Sequence, residues 1–159
     1  MRRVATFLGT AAVVLMATSV YAQAPNFSGT WTLDAEKTAA ANPAPAGGGG
    51  GRGGGRGGAA PLVFKQDAKT LVITRTMGEN QVVTTYNLDG SPSKNTTMGR
   101  GGETVVTATA KWDGAKLVVT NDSGQTITYS MDGAWLVSTT VNPGRDGGAA
   151  TTRINYYKK

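Results

Sequence analysis

Apolar and polar residues alternate along much of this sequence, most clearly between Glu103 and Val141. Successive side chains of a strand point to opposite faces, so this alternation predicts β-strands with one buried face. Turns at positions 113–114 and 132–133 each place an Asp before a Gly, a pair that favours tight hairpins. The pattern predicts an antiparallel meander, whose first strand carries Thr104, Val106, Ala108, Ala110 and Trp112 on one face.

Further strands are predicted on both sides of this meander. A short segment centred on Trp31 comes first, and strands carrying Leu71, Tyr86 and Ile154 follow along the chain. Turn signals recur at roughly the spacing of all-β sandwiches and barrels, about 8 to 12 residues. We therefore expect an all-β fold with about nine or ten antiparallel strands in an up-and-down meander. Closing this sheet into a barrel would protect its two edges, which otherwise favour aggregation.

A low-complexity stretch interrupts the pattern after the first predicted strand. From Gly47 to Gly58 the chain is Gly, broken only by Arg52 and Arg56. Such a segment has nothing to bury and loses much entropy on ordering, which predicts a disordered, flexible loop over residues 39–60. Its two Arg-Gly-Gly triplets resemble segments that bind RNA in other contexts. We favour a solvated insertion and expect no nucleic-acid partner.

The N-terminus has the pattern of a cleavable leader. Arg2 and Arg3 precede an apolar run over residues 7–20, and Ala22 and Ala24 are the small residues that signal peptidase accepts. The alternative is a membrane anchor, but the run is shorter than the ~20 residues that span a bilayer. The pattern predicts a signal peptide over residues 1–24, cleaved after Ala22 or Ala24. A secreted or periplasmic domain without a stable membrane anchor would then occupy residues 25–159.

Composition limits the chemistry of the predicted domain. The 159 residues include no Cys and no His, which excludes disulfides, a thiol nucleophile and an imidazole base. The ten carboxylates lie mostly in predicted turns, where a hydrogen bond to the backbone explains them. Removal of the leader lowers the formal charge from +6 to +4, which gives little reason to expect an acidic partner. We expect no enzyme activity, no catalytic residues, no metal site and no cofactor.

Three short motifs resemble those of one protein superfamily. Residues 29–31 read Gly-Thr-Trp in the first predicted strand, and residues 152–154 read Thr-Arg-Ile in the last. Residues 111–114 read Lys-Trp-Asp-Gly at a central hairpin. In this order the motifs are similar to those of the calycins, which include the lipocalins and the fatty-acid-binding proteins. The resemblance implies a lipocalin-like up-and-down β-barrel around a cavity for a small apolar ligand.

The resemblance also implies roles for two residues. The superfamily's last-strand Arg, here Arg153, either packs on the first-strand Trp, here Trp31, or reaches inward to hold a carboxylate. In the second arrangement a Tyr lies two residues after the Arg, whereas this chain has Asn155 there. The Gly-rich stretch also takes the place of the helix pair that lids the fatty-acid-binding proteins. A lipocalin-like domain of unassigned ligand therefore fits better than a closed fatty-acid carrier.

Six residues are candidates for ligand binding. Four aromatic side chains fall on the apolar face of their predicted strands, where they either fill the core or line a cavity. Trp31 either plugs one end of the barrel or contacts the ligand, and Arg153 contacts either a ligand carboxylate or Trp31. The candidate set is Trp31, Tyr86, Trp112, Tyr129, Trp135 and Arg153.

Two functions are compatible with these expectations. The first is an exported lipocalin-like domain that binds or carries a small apolar ligand in the barrel interior. The second is a non-catalytic structural or interaction module of the cell envelope, which holds a protein partner through its outer surface or its Gly-rich loop. The sequence does not identify that partner. An internal cavity lined by aromatic side chains would favour the first function.

Overall fold

A computed structural model describes residues 24–43, 60–99, 102–144 and 148–159. The Gly-rich stretch at 47–58 and almost all of the predicted leader lie outside these described residues. The cleaved signal peptide therefore stays a prediction, and so does the disordered insertion over the part of its range that lies outside the described residues. At its start the predicted loop over residues 39–60 is wrong, because residues 39–41 belong to the helix Ala35–Ala41.

The described part of the chain contains ten strands and one short helix, and neighbouring strands pair antiparallel. The expected all-β meander of about nine or ten strands is confirmed. In chain order the elements are β1 (Gly29–Leu33), α1 (Ala35–Ala41), β2 (Leu62–Gln66), β3 (Thr70–Met77), β4 (Asn80–Asn87), β5 (Ser93–Gly99), β6 (Gly102–Asp113), β7 (Lys116–Asn121), β8 (Thr126–Asp132), β9 (Trp135–Asn142) and β10 (Thr151–Lys158).

The strands form one sheet in the order β4-β3-β2-β1-β10-β9-β8-β7-β6-β5. The first and last strands of the chain are therefore neighbours within the sheet, where Leu33 pairs with Tyr157. The two strands at the ends of this order, β4 and β5, come to lie side by side. The sheet thus curls into a nearly closed barrel, as its sequence pattern predicts.

Two tight hairpins contain the predicted Asp-Gly pairs, but the Asp ends its strand instead of entering the loop. Asp113 pairs with Lys116, and Asp132 pairs with Trp135. Each loop therefore consists of a Gly and an Ala, and φ is 57° at Gly114 and 59° at Gly133. A positive φ at the first loop position is what the type I′ and type II′ turns of tight hairpins require, and the twist of both suits antiparallel neighbours.

The core of the barrel is formed by alternate residues of each strand. Leu71, Leu117 and Leu136 are fully buried, and the small side chains of Ala108 and Ala110 belong to the same buried cluster. The buried cluster consists of Phe27, Trp31, Leu62, Phe64, Leu71, Ile73, Tyr86, Ala108, Ala110, Leu117, Val119, Tyr129, Leu136 and Tyr157.

Helix α1 covers the edge of β10 that β1 leaves unpaired, since β1 pairs with β10 only through its last two residues. Thr38 Oγ1 accepts a hydrogen bond from the N–H of Tyr156 at 3.0 Å. Asn42 Oδ1 accepts from the N–H of Ile154 at 2.8 Å, and Asn42 Nδ2 donates to the Ile154 carbonyl at 2.6 Å. Because unpaired backbone groups are costly to bury, these side chains act in place of a neighbouring strand.

The start of α1 is held by charged contacts. Asp34 caps the helix by accepting from the N–H of Lys37 at 2.9 Å, and this hydrogen bond holds the pKa of the Asp34 carboxyl below its ordinary value. Asp34 also forms a salt bridge with Lys158 at 3.2 Å. The Lys37 ammonium lies 4.8 Å from the ring centre of Trp135 and 4.7 Å from that of Tyr156. The helix is therefore fixed to the outer face of β9 and β10.

We predict that Asn42→Ala destabilises the protein by about 1–3 kcal/mol, because it leaves the N–H and C=O of Ile154 without their partner. Urea unfolding followed by far-UV circular dichroism measures the change. Glu36→Gln, an exposed change on the same helix, is the control and should alter stability by no more than about 0.5 kcal/mol. Equal effects of the two substitutions would contradict the strand-like role of Asn42.

Candidate functional site

One end of the barrel is filled by packed aromatic rings, which we call the aromatic plug: Phe27, Trp31, Phe64, Trp112 and Tyr129. The Phe27 ring stacks on Trp112 with centres 5.7 Å apart, and it lies 6.4 Å from Tyr129. Phe64 meets Tyr129 edge to face at 5.7 Å. Trp31 Nε1 donates to the Phe27 carbonyl at 2.8 Å, so its polar atom is satisfied within the plug.

The segment before β1 holds Phe27 in this position. The Phe27 N–H donates to Gln66 Oε1 at 2.9 Å, and Gln66 Nε2 donates to the Pro25 carbonyl at 3.1 Å. Phe27 itself is fully buried. The segment that leads into β1 thus folds across this end of the barrel and closes it.

Towards the other end the interior is open, and a space of about 420 Å³ remains that we call the inner cavity. Apolar side chains form part of its lining, including Leu62, Ile73 and Ile127. Three tyrosines line it as well, namely Tyr86, Tyr129 and Tyr157. The cavity therefore has a mixed lining, with hydroxyl groups set among aliphatic and aromatic carbon.

Arg75 is the charged residue of this lining. It lies on the same face of β3 as Leu71 and Ile73, and it pairs with Leu62 and Val82 on the neighbouring strands. Among the described residues, no carboxylate lines the inner cavity, and Asp34 with Lys158 forms the one salt bridge found. Arg75 is itself exposed, so it supplies a positive charge at the accessible part of the inner cavity.

Two of the cavity tyrosines have shifted pKa values. Burial raises the pKa of Tyr129 well above its ordinary value, and the charges that Tyr86 and Tyr157 would carry raise it further, while Arg75 acts in the opposite direction. Burial also raises the pKa of Tyr86. Both phenols are therefore uncharged at neutral pH, and each can donate a hydrogen bond into the cavity.

The structure brings Tyr86 and Tyr129 together in the inner cavity and places Trp31 and Trp112 in the aromatic plug. Tyr129 belongs to both, because its ring packs in the plug and also borders the cavity. Ligand binding by these residues stays a prediction. The plug arrangement of Trp31 corresponds to the structural alternative considered from the sequence, and the cation above its ring is Lys159, at 5.0 Å.

Trp135 lies on the outer face of the barrel, under Lys37 of α1, and does not line the interior. Its neighbours Leu136 and Ser138 have the inward positions of β9, opposite Met131 and Tyr129. A two-residue hairpin loop always pairs an odd-numbered residue with an even-numbered one. An inward Tyr129 on β8 therefore requires even-numbered inward residues on β9, a rule that the sequence alone could have supplied.

Arg153 belongs to the alternate residues of β10 that point inwards. It pairs with Thr140, and Thr140 lines the inner cavity together with the next two inward residues of β10, Asn155 and Tyr157. Arg153 Nε donates to Asn155 Oδ1 at 3.2 Å, and Arg153 is exposed. Ile154 points to the opposite face, where its backbone meets Asn42. Along β10, the polar side chain of Arg153 thus points towards the barrel opening, and the apolar side chain of Ile154 points towards α1.

Sequence reasoning missed three residues of this interior. Arg75 alternates with Leu71 and Ile73, so its inward direction was visible in the sequence, but we did not consider it for the site. The sequence pattern gives no comparable indication that Phe27 and Asn95 are buried. Their hydrogen bonds, Phe27 with Gln66 and Asn95 with Thr85, form only in the folded barrel.

Comparison of the sequence with protein-family models and with curated proteins finds no match. The nearly closed barrel of ten antiparallel strands is consistent with a calycin-like fold at the level of architecture. Within the described ranges, no group of three or more His, Cys, Asp or Glu side chains is placed to hold a metal ion. In the same part of the chain, no helix has the length and hydropathy to cross a membrane.

We predict that Tyr129→Phe weakens the loss of stability at alkaline pH. The unfolded chain ionises its tyrosines near pH 10.0, whereas folded Tyr129 keeps its proton to higher pH. Above that pH the unfolded state binds fewer protons, so the free energy of unfolding falls as the pH rises. Urea unfolding between about pH 9 and about pH 11 should therefore give a flatter decline for Tyr129→Phe than for the unmodified protein.

Tyr86→Phe is the comparison variant for this measurement. The pKa of Tyr86 is raised by burial alone, whereas that of Tyr129 is raised by burial and by neighbouring tyrosines. Tyr86→Phe should flatten the decline less than Tyr129→Phe does. Identical pH profiles for Tyr129→Phe and the unmodified protein would show that Tyr129 is not the buried phenol described above.

Proposed function

We propose that this protein binds a small amphipathic molecule, with an apolar body and an anionic group, inside its barrel. One observation carries the proposal: Arg75 lines a partly apolar cavity whose described lining contains no carboxylate. A ligand anion would supply the negative charge that this lining lacks. The sequence leads us to expect a small apolar ligand, and the proposal adds that this ligand carries an anionic group.

The size and lining of the inner cavity support the apolar part of this ligand. Its volume of about 420 Å³ falls within the range of small-molecule sites, which is roughly 300–1,000 Å³. Leu62, Ile73 and Ile127 supply aliphatic contacts, while the rings of Tyr86 and Tyr129 supply flat ones. Removing an apolar group from water by placing it among these side chains would favour binding.

The polar groups of the same lining support the anionic part. A guanidinium offers several N–H donors in a fixed plane, and it binds carboxylate, sulfonate or phosphate oxygens through paired hydrogen bonds. Tyr129 lies close enough to Arg75 for the Arg75 charge to affect its pKa. An uncharged Tyr129 hydroxyl would add a donor to the same anion.

We also propose that the protein binds its ligand without transforming it. The sequence has no His and no Cys, and carboxylates such as Asp67 and Asp89 are engaged in turns. Asp67 accepts hydrogen bonds from the N–H groups of Lys69 and Thr70, and Asp89 accepts from that of Ser91. The backbone bonds hold the pKa of the Asp67 carboxyl below its ordinary value. At Asp89 a hydrogen bond from the Ser91 side chain, followed by the one from the Ser91 N–H, lowers the carboxyl pKa, which suits a structural role more than acid–base catalysis.

Export completes the proposed function and is supported by the leader pattern of residues 1–24. In a secreted or periplasmic setting, the protein would bind or carry its ligand outside the cytoplasm. We propose no nucleic-acid partner and no stable membrane anchor, and the ligand itself is the partner that this function requires.

Two fluorescent dyes of similar size test the proposal: anilinonaphthalene sulfonate, an anion, and N-phenylnaphthylamine, which is uncharged. We predict that Arg75→Gln weakens binding of the sulfonate by about ten-fold or more, because a charge-assisted hydrogen bond is lost. Binding of the uncharged dye should change by less than about three-fold, because the apolar lining is preserved. Fluorescence titration measures both dissociation constants.

Lys65→Gln is the matched control, since it removes an equal charge from the exposed outer side of β2. It should leave the binding of both dyes unchanged. The proposed function fails if neither dye binds the unmodified protein, or if Arg75→Gln and Lys65→Gln weaken the sulfonate equally.

A further inference from the structure

The junction between β4 and β5 closes the barrel without backbone pairing, and we call it the seam. The strands at every other junction are joined by a ladder of paired residues. Across the seam, the hydrogen bonds found between the described residues of the two strands both come from the side chain of Asn95. Opening the seam would therefore break no backbone ladder.

Asn95 joins the seam by acting as a paired backbone residue would. Its Oδ1 accepts from the N–H of Thr85 at 2.7 Å, and its Nδ2 donates to the carbonyl of the same residue at 3.0 Å. A primary amide can do this because it presents an acceptor and a donor side by side. Asn95 is 7% exposed and Thr85 is half-buried, so truncation of Asn95 would leave the N–H and C=O of Thr85 without their partner.

A second cavity of about 340 Å³ lies on the inner side of the seam, and we call it the seam cavity. Tyr86 lines it from β4 and Asn95 lines it from β5, while Val119 faces them from β7. It adjoins the inner cavity, because four residues line both spaces. The residues that border both spaces are Thr84, Tyr86, Thr97 and Ile127.

These observations connect the seam to the size of the binding site. A ligand that fills the inner cavity and continues past Tyr86 must enter the seam cavity. Widening at any other junction would have to break backbone pairing. This holds even at the short β1–β10 ladder, where the side chains of Thr38 and Asn42 also bond to β10. The seam is the wall that can move outwards when only the two bonds of Asn95 are given up.

We infer that Asn95 is a specificity-determining residue, which limits the size of the ligand by holding the seam closed. The inference rests on the proposed function, because it concerns the same interior. It assigns the ligand to compact amphipathic anions and excludes those with a second bulky apolar unit. Removal of the Asn95 side-chain amide should allow anions with a second bulky apolar unit to bind.

The test compares anilinonaphthalene sulfonate with its covalent dimer, which carries two sulfonate groups on twice the apolar body. Because the second sulfonate is the same in every titration, a change of the dimer-to-monomer ratio between variants reports on the space available to the ligand. We expect Asn95→Ala to improve binding of the dimer by about ten-fold relative to the monomer, as the free energy of opening the seam falls. Amide hydrogen exchange measured by NMR reports on the seam without any ligand. The N–H of Thr85 should exchange at least about ten-fold faster in the variant.

Ser93→Ala is the matched control. Ser93 lies on the same strand, is equally buried at 7% exposure, and donates from its hydroxyl to the Ala108 carbonyl at 3.1 Å, on the side away from the seam. It should change neither the dimer-to-monomer ratio nor the exchange of Thr85. Asn95→Ser is the second variant if Asn95→Ala does not fold, since its hydroxyl is too short to bridge both groups of Thr85.

Each outcome decides a separate point. If Thr85 exchanges faster but the dimer gains nothing over the monomer, Asn95 is a structural clasp only and the inference is wrong. Unchanged exchange would show that Asn95 does not hold the seam, which also overturns the inference. If the sulfonate binds in an Arg75-dependent way and the ratio stays constant, the proposed function stands without this inference. If neither dye binds the unmodified protein, both fail.

Discussion

Hydrogen bonding at the edges of the sheet is the constraint on which the rest of this structure depends. A curled sheet of ten strands must satisfy the backbone groups along each edge, because leaving them unpaired invites aggregation and costs stability where they are shielded from water. Most of the barrel does so through ladders of neighbouring strands. At two places in the described chain no backbone ladder forms, and a side-chain amide takes its place. Asn42 pairs with Ile154 beside β10, and Asn95 pairs with Thr85 across the seam.

The two ends of the barrel differ because different parts of the chain fold over them. At one end, Phe27 is drawn across the opening by Gln66 and completes a packed set of aromatic rings. At the other, Arg75 and the buried tyrosines border unfilled space. The asymmetry separates the packed core at one end from accessible space at the other. Our proposed function and the role proposed for Asn95 both depend on this division.

Much of the fold could be predicted from the sequence because antiparallel hairpins are local. Alternation identified the strands, and the Asp-Gly pairs located two hairpins to within one residue. The same alternation was sufficient to place Tyr86, Trp112 and Tyr129 inside. It failed at β9, which carries large apolar residues on both faces, with Trp135 outside under α1 and Leu136 inside. An outer face that is covered by a helix looks like a core face in the sequence, and only the hairpin's pairing rule distinguishes them.

The sequence by itself determined the strands, their order along the chain, and an interior rich in aromatic and small residues, because each depends on neighbours a few positions apart. The tertiary structure alone decided how the barrel closes. Asn42 and Ile154 are 112 positions apart, and Phe27 is 39 positions from the Gln66 side chain that holds it. Asn95 is only ten positions from Thr85, but its bonding depends on the curvature of the whole sheet. No local pattern encodes such contacts, because they form only once ten strands have curled far enough to bring the two ends of the sheet together.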